Sequence, residues 1–143
     1  IPDPGGSDVI TILSGNSCIK TSYVSAPGYA HKAVDMYLRR DRAAQYATEL
    51  SSFSLGGAAL TILSLCKGFP AGTMLGIFLT LDGWAKDLQE SQIRKYTDQG
   101  NDCRICIVDS SVSTTWFVRS WTDNKVPIAP GANETVKGVS IFK

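Results

Sequence analysis

The longest apolar stretch of the chain covers residues 53–81, and Lys67 is its only charged residue. Lys67, Gly68 and Pro70 interrupt it near the middle, where proline favours the start of a helix and opposes its interior. The pattern therefore predicts a helical hairpin of residues 53–66 and 71–81. Neither half reaches the roughly 20 residues that a helix needs to cross a bilayer. The second half is expected to continue as an amphipathic helix to about residue 96.

Small residues recur at four-residue spacing in this hairpin, at Gly72, Gly76 and Thr80 and again at Gly57 and Thr61. Such spacing lets two helix backbones approach closely, as it does in membrane helices. Because glycine costs about 1 kcal/mol relative to alanine inside a soluble helix, its repeated use needs a packing reason. Two interpretations supply one: the buried central hairpin of a soluble domain, or a segment that meets a membrane.

Residues 29–50, before the apolar block, place apolar side chains at helical spacing and predict an amphipathic helix. This is also the most basic part of the chain, with Lys32, Arg39, Arg40 and Arg42. These cations are either a solvated helix face, partly neutralised by Asp35, or a patch that docks to anionic lipid or cell wall.

The N-terminal part of the chain predicts strands after a short leader. Residues 1–8 contain two prolines and two glycines and are expected to form a flexible leader before a single domain, residues 9–143. Residues 9–13 and 18–24 are rich in β-branched side chains and are separated by a four-residue turn. They predict an N-terminal β-hairpin.

The C-terminal third also predicts strands. Residues 103–109 and 113–121 form a second predicted hairpin, and residues 134–142 a final strand. Strands at both ends with helices between them predict an α+β fold, in which antiparallel strands pack against the helical hairpin.

Four cysteines, an even set in a short chain, favour two disulfides in a secreted protein over reduced core thiols. Since residues three apart on a strand point to opposite faces, Cys103 and Cys106 are not expected to bond each other. Each is expected to pair with either Cys18 or Cys66, so that the fold is stapled by disulfides. A metal site is not expected, because the lone C-x-x-C has no second pair and the only histidine is distant.

Composition and motifs argue against two broad classes of function. With 14 basic and 13 acidic residues, the chain lacks the basic excess typical of nucleic-acid-binding surfaces. No nucleophile elbow, zinc-binding histidine pair or phosphate loop surrounds His31, the sole histidine. We therefore expect no cofactor and no enzyme, although a hydrolase built from converging aspartates has no motif that would reveal it.

The first functional hypothesis is a small secreted membrane-active protein, antimicrobial or toxin-like, that acts through the apolar hairpin on an anionic membrane or cell surface. The arrangement of residues 29–98 is similar to that of secreted bacteriocin-like or killer-toxin-like proteins, without a family-specific motif. The docking candidates are the four cations of residues 29–50 named above. The membrane-contact candidates are Ile62, Leu63, Phe69, Leu75, Ile77 and Phe78.

The alternative hypothesis is an extracellular binding module. Its C-terminal strands carry Trp116, Phe117 and Trp121, which would recognise a protein or a glycan if they were exposed. The bland interpretation of the same aromatic residues is packing within and across strands. The sequence does not define the oligomeric state.

Overall fold

A computed structural model describes residues 9–26, 29–53, 60–110, 112–128, 130, 131 and 133–143. The expected leader, residues 1–8, lies outside the described residues, as does Gly57 of the small-residue pattern.

A five-stranded antiparallel sheet organises the described residues, and a two-stranded ribbon lies beside it. The strands are β1 (Val9–Thr11), β2 (Ser17–Ala26), β3 (Tyr29–Leu38), β4 (Asp102–Ser110), β5 (Thr114–Trp121), β6 (Lys125–Pro127) and β7 (Glu134–Phe142). The order in the sheet is β5-β4-β3-β2-β7, and the ribbon pairs β1 with β6. The predicted C-terminal hairpin is confirmed, since β4 and β5 pair in antiparallel register.

Helices cover one face of this sheet. They are α1 (Arg40–Ser52), α2 (Thr61–Leu65), α3 (Ala71–Leu79) and α4 (Gly83–Thr97). The main core lies between the two layers, where sheet residues such as Met36 and Ile105 meet Leu50, Phe78 and Ile93 of the helices. None of the helices in the described ranges has both the length and the apolar character needed to cross a bilayer.

The predicted helix over residues 29–50 is wrong. Its first part is β3, and a helix begins only at Arg40. β3 lies in the middle of the sheet and pairs along most of its length with both β2 and β4. Because a central strand buries side chains on both faces, its sequence loses the apolar–polar alternation that distinguishes a strand from a helix.

The predicted N-terminal β-hairpin is also wrong. β1 pairs with β6, more than a hundred residues away in the chain, whereas β2 pairs with β3 and β7. Ile10 stands opposite Val126 in the ribbon, so the apolar character of β1 serves this long-range pairing.

The apolar block does not form the predicted pair of long helices. α2 has only five residues and α3 nine, while residues 54–59 lie outside the described ranges. The second helix does not continue to residue 96, because α4 begins separately where Asp82 Oδ1 accepts a hydrogen bond from Ala85 N at 2.7 Å. Among the described residues, a Cβ built on Gly72 or Gly76 has no neighbour within 4 Å, so close helix packing at these two glycines is not seen there.

The predicted disulfide staples are absent, because all four cysteines are free thiols. Cys103 lies in the core between sheet and helices, whereas Cys18 belongs to a second apolar cluster on the other side of the sheet. Cys106 stands opposite Asp35 and Phe117 on that same side. The sheet thus separates Cys103 from Cys106, as side-chain alternation predicts. The fold is mixed α and β, but the predicted helix arrangement and staples are corrected.

Candidate binding site on the open face of the sheet

The face of the sheet opposite the helices, called here the open face, carries a second and smaller apolar cluster at one end. The cluster consists of Ile12, Cys18, Tyr37, Trp121 and Val126. The β1–β6 ribbon supplies part of it and covers this end of the face. The rest of the face mixes charged, polar and apolar side chains, among them Asp35, Arg104, Phe117 and Arg119 of β3, β4 and β5, and Lys20 of β2.

A partly buried ion pair lies at the centre of the open face. Arg104 on β4 donates from Nε and Nη2 to the two carboxylate oxygens of Asp35 on β3, at 3.0 and 2.9 Å. Tyr37 Oη donates to Asp35 Oδ2 at 3.1 Å. The Asp35 side chain is 7 % exposed and that of Arg104 is 32 % exposed. Because both carboxylate oxygens have partners, the buried charge is compensated, and Arg104 is held in one orientation.

The side chains that donate to Asp35, and the two thiols beside them, keep their protons at neutral pH. The hydrogen bond to Asp35 raises the pKa of the Arg104 guanidinium, and burial raises the pKa of the Tyr37 phenol. Burial also raises the pKa of the neighbouring Cys106 thiol to about 12 and that of Cys18 to about 11. Since thiolates are the nucleophilic form of cysteine, these thiols are unsuited to covalent catalysis.

A second arginine stands directly across from the first. Arg119 on β5 is the register partner of Arg104, and it is exposed. The guanidinium carbon of Arg119 lies 4.5 Å from the centre of the Phe117 ring, and that of Arg104 lies 5.1 Å from the same ring. No carboxylate lies within 4.0 Å of Arg119 among the described residues. The Phe117 ring therefore contacts two guanidinium groups, and of these Arg104 has a carboxylate partner.

A cavity of about 300 Å³ opens beside this pair, between the ends of β4 and β5 and the start of β6. Its lining includes Arg104, Trp121 and Lys125. Asp123 is the acid in the lining, and its Oδ1 accepts a hydrogen bond from the backbone N–H of Lys125 at 3.1 Å. The Lys125 ammonium has no carboxylate within 4.0 Å in the described ranges. The cavity is at the small end of the range for ligand pockets and is large enough for an acidic side chain.

Hydrogen bonds fix β6 over this end of the sheet. Trp121 Nε1 donates to Lys125 O at 3.1 Å, and Lys20 Nζ donates to Pro127 O at 2.8 Å. The guanidinium of Arg39 lies 4.3 Å from the centre of the Trp121 ring. The cavity wall is therefore held by the fold itself, with no ligand needed to form it.

The predicted membrane-contact residues divide into two groups. Ile62, Ile77 and Phe78 are buried in the core, at most 3 % exposed. A second group is partly buried and packs against that core, namely Leu63, Phe69 and Leu75.

The predicted basic patch is not brought together on one helix. Lys32 lies on β3, whereas Arg39 precedes α1 and Arg40 begins it. Arg39 is used inside the fold, where it forms an ion pair with Asp102 at 3.0 Å and donates to Asn16 O at 2.8 Å. The guanidinium of Arg42 binds the backbone carbonyl of the C-terminal residue.

Two of the three predicted aromatic residues belong to the open face. Phe117 is half-buried there and Trp121 is buried in the smaller cluster. Trp116 lies on the helix side and packs against the main core. Within the described residues, no group of three or more histidine, cysteine, aspartate or glutamate side chains is arranged to hold a metal ion.

Three cations that were not predicted from the sequence give this site its charge, namely Arg104, Arg119 and Lys125. A usable signal existed for the first two. The short connection between the two predicted strands limits the register of the β4–β5 hairpin, in which the two arginines stand opposite each other. Asp35 and Tyr37 of β3 could not be placed at the site from the sequence, because their segment was assigned to a helix.

Comparison with protein-family models, with curated proteins and with solved structures found no significant match for this chain.

Proposed function

We propose that this protein is a binding module that recognises an acidic partner through the open face of its sheet, where β4, β5 and β6 meet. One observation carries the proposal: Arg119 stands opposite Arg104 on a shared aromatic ring, and only Arg104 has a carboxylate partner. Like charges directly opposite on adjacent strands are destabilising. Local conflicts of this kind are expected at functional sites, where an incoming anion removes the repulsion.

The surroundings of the pair favour binding over catalysis. Lys125 adds a third cation beside the cavity, and the thiols and the phenol on this face stay protonated at neutral pH. Arg104 is pre-oriented by Asp35, so little side-chain entropy is lost when it meets an anion. Phe117 and Tyr37 hold the guanidinium planes in place for carboxylate or sulfate groups.

The test measures binding of two polyanions, a fluorescently labelled oligoglutamate peptide and dextran sulfate, by anisotropy and by competition. We expect binding that weakens as salt increases, and a loss of about tenfold in affinity for Arg119→Ala and for Lys125→Ala. The matched control is Lys67→Ala, a cation exposed between α2 and α3 on the helix side of the sheet. If neither polyanion binds, or if all three variants weaken binding equally, the proposal is wrong.

A second candidate function, association with a lipid surface, is favoured by one observation on the helix side. Over residues 60–81 the chain has a single charged residue, Lys67, and Trp84 beyond it is 74 % exposed. Tryptophan at the border of a surface with few charges is typical of membrane interfaces. The test is flotation with neutral and with anionic vesicles. Vesicle binding that Trp84→Ala removes and Arg119→Ala preserves would favour this function over the first.

The extracellular location stays a prediction. That prediction rests on two expected disulfides, and the free thiols remove that support.

A further inference from the structure

The two edges of the five-stranded sheet differ. The backbone of β7 pairs with β2 through a register shift at Thr21 and Ser22, and it carries Lys137 and Gly138 at that irregularity. Bulges and charged side chains of this kind are the features by which natural sheets prevent unwanted pairing. The β7 edge is therefore protected against a further strand.

The β5 edge lacks this protection. β5 runs for eight residues with neither proline nor glycine, and its pairing with β4 has no register shift. Across the described residues, its backbone makes hydrogen bonds to β4 alone, so the outward N–H and C=O groups are unpaired. Such an edge is a template for an added strand.

The charges along the β5 edge determine which kind of strand can pair with it. β5 itself has no acidic residue, and Arg119 is its single charged side chain. Arg104 and Lys125 lie beside it toward the C-terminal end. Of the acids at that end, Asp102 is paired with Arg39, and Asp123 accepts a hydrogen bond from the backbone N–H of Lys125. Asp109 lies beside Thr114 at the other end. A strand with acidic side chains facing Arg119 complements this distribution, and a basic strand does not.

Side-chain alternation defines the rest of the pattern. Phe117 and Arg119 face the open side, and Trp116 and Val118 face the helices. A strand added beside β5 places every second side chain next to the first pair and the others next to the second pair. The complementary sequence alternates acidic and apolar residues.

We propose that β5 is the docking strand for an acidic extended peptide, which adds to the sheet as a sixth strand. This inference rests on the proposed function and narrows its ligand from any polyanion to a polypeptide. The peptide backbone bonds to the free edge, while its acidic side chains reach Arg119 and the neighbouring cavity.

The test uses a heptapeptide of alternating glutamate and valine and two derivatives of it. One derivative is N-methylated at every valine and the other at every glutamate. Because alternate N–H groups of a strand point to opposite edges, only one set faces β5. We expect one derivative to lose affinity about tenfold or more, and the other to bind like the parent peptide. Equal affinities of all three peptides would overturn strand addition.

Charge reversal supplies the second arm. The Arg119→Glu variant is expected to lose affinity for the glutamate–valine peptide and to gain affinity for a lysine–valine peptide. The control variant, Lys67→Glu, is expected to keep the wild-type affinity for both peptides. Binding of dextran sulfate and oligoglutamate without binding of the alternating peptide would overturn this inference and leave the proposed function standing. A wild-type dimer that Arg119→Glu makes monomeric in sedimentation velocity would assign the edge to a second copy and also overturn it.

Discussion

The two faces of the sheet differ in the interactions that their side chains make. On the helix face, Met36, Ile105 and Ile107 are fully buried against apolar side chains of the helices. On the open face, the central contacts are an ion pair between Asp35 and Arg104 and cations stacked on aromatic rings. The helix face gains its stability from removing apolar surface from water. The open face holds charged groups in fixed positions at the edge of solvent.

This difference indicates a division of labour. Apolar packing needs no particular residue beyond size and shape, whereas an exposed guanidinium without a carboxylate partner contributes little to folding. Arg119 is the clearest case, because it faces another arginine and has no carboxylate within 4.0 Å in the described part of the chain. Substitutions at Arg119 and in the core under the helices should therefore separate binding from stability.

The largest loss of stability is expected on the helix face. Phe78→Ala removes a side chain that is 0 % exposed and leaves a cavity, so we expect a loss of about 4 kcal/mol in the free energy of unfolding. Phe117→Ala, the matched change on the open face, should cost about 1 kcal/mol, because the ring is half-buried and contacts guanidinium groups. Urea denaturation followed by circular dichroism measures both. Equal losses would contradict the comparison.

The ion pair gives the next largest effect. Asp35→Ala leaves Arg104 and Tyr37 without their acceptor, and we expect a loss of about 3 kcal/mol. The control is Asp41→Ala, whose side chain is 96 % exposed and whose removal should change stability by less than about 0.5 kcal/mol. A loss at Asp35 no greater than that of the control would show that the open face is not organised by this pair.

The buried thiols predict how stability changes in alkali. Burial raises the pKa of Cys18 from 9.0 to about 11 and that of Cys103 to about 12. Above pH 9 the unfolded chain therefore loses these protons while the folded chain keeps them. Each thiol lowers the free energy of unfolding by up to about 1.4 kcal/mol per pH unit in this window.

Urea denaturation under reducing conditions, on either side of pH 9, measures this effect. Cys103→Ala, which removes one titrating group from the helix side, should make the decline with pH less steep. A free energy of unfolding that stays constant as the pH rises from 9 to about 11 would mean that the thiols are not buried in this way.

The smallest effect on stability is expected at Arg119. Arg119→Ala removes an exposed side chain that faces a like charge, so the free energy of unfolding should change by less than about 0.5 kcal/mol. Affinity for oligoglutamate should nevertheless fall about tenfold. A destabilisation of 2 kcal/mol or so would instead assign Arg119 to the fold, by the scale of ordinary core substitutions.

The sequence predicts the strands better than their partners. Runs of β-branched residues locate β4, β5 and β7 closely, because each carries strand propensity over its whole length. The pairing of β1 with β6 depends on contacts across more than a hundred residues, and no local pattern encodes it. The disulfide prediction is wrong for a similar reason, because cysteine count and strand alternation do not show which cysteines the fold brings within bonding distance.

One error of periodicity kept the proposed binding site from being assembled from the sequence. Ala33, Val34, Tyr37 and Leu38 fit a helical stripe as well as they fit a strand that is buried on both faces. Once residues 29–38 are assigned to a helix, Asp35 and Tyr37 cannot be placed beside Arg104. The register of the β4–β5 hairpin alone places Arg104 opposite Arg119. This pair is the part of the site that the sequence can predict.

The most direct test of the central claim, that the open face binds and the helix face stabilises, is an amide NMR titration of the whole protein with oligoglutamate. We predict that the shifted amides cluster at Arg104, Phe117, Arg119 and Lys125, and that those of α2 and α3 stay in place. Shifts confined to α2 and α3, or no shifts at all, would contradict the assignment of binding to the open face.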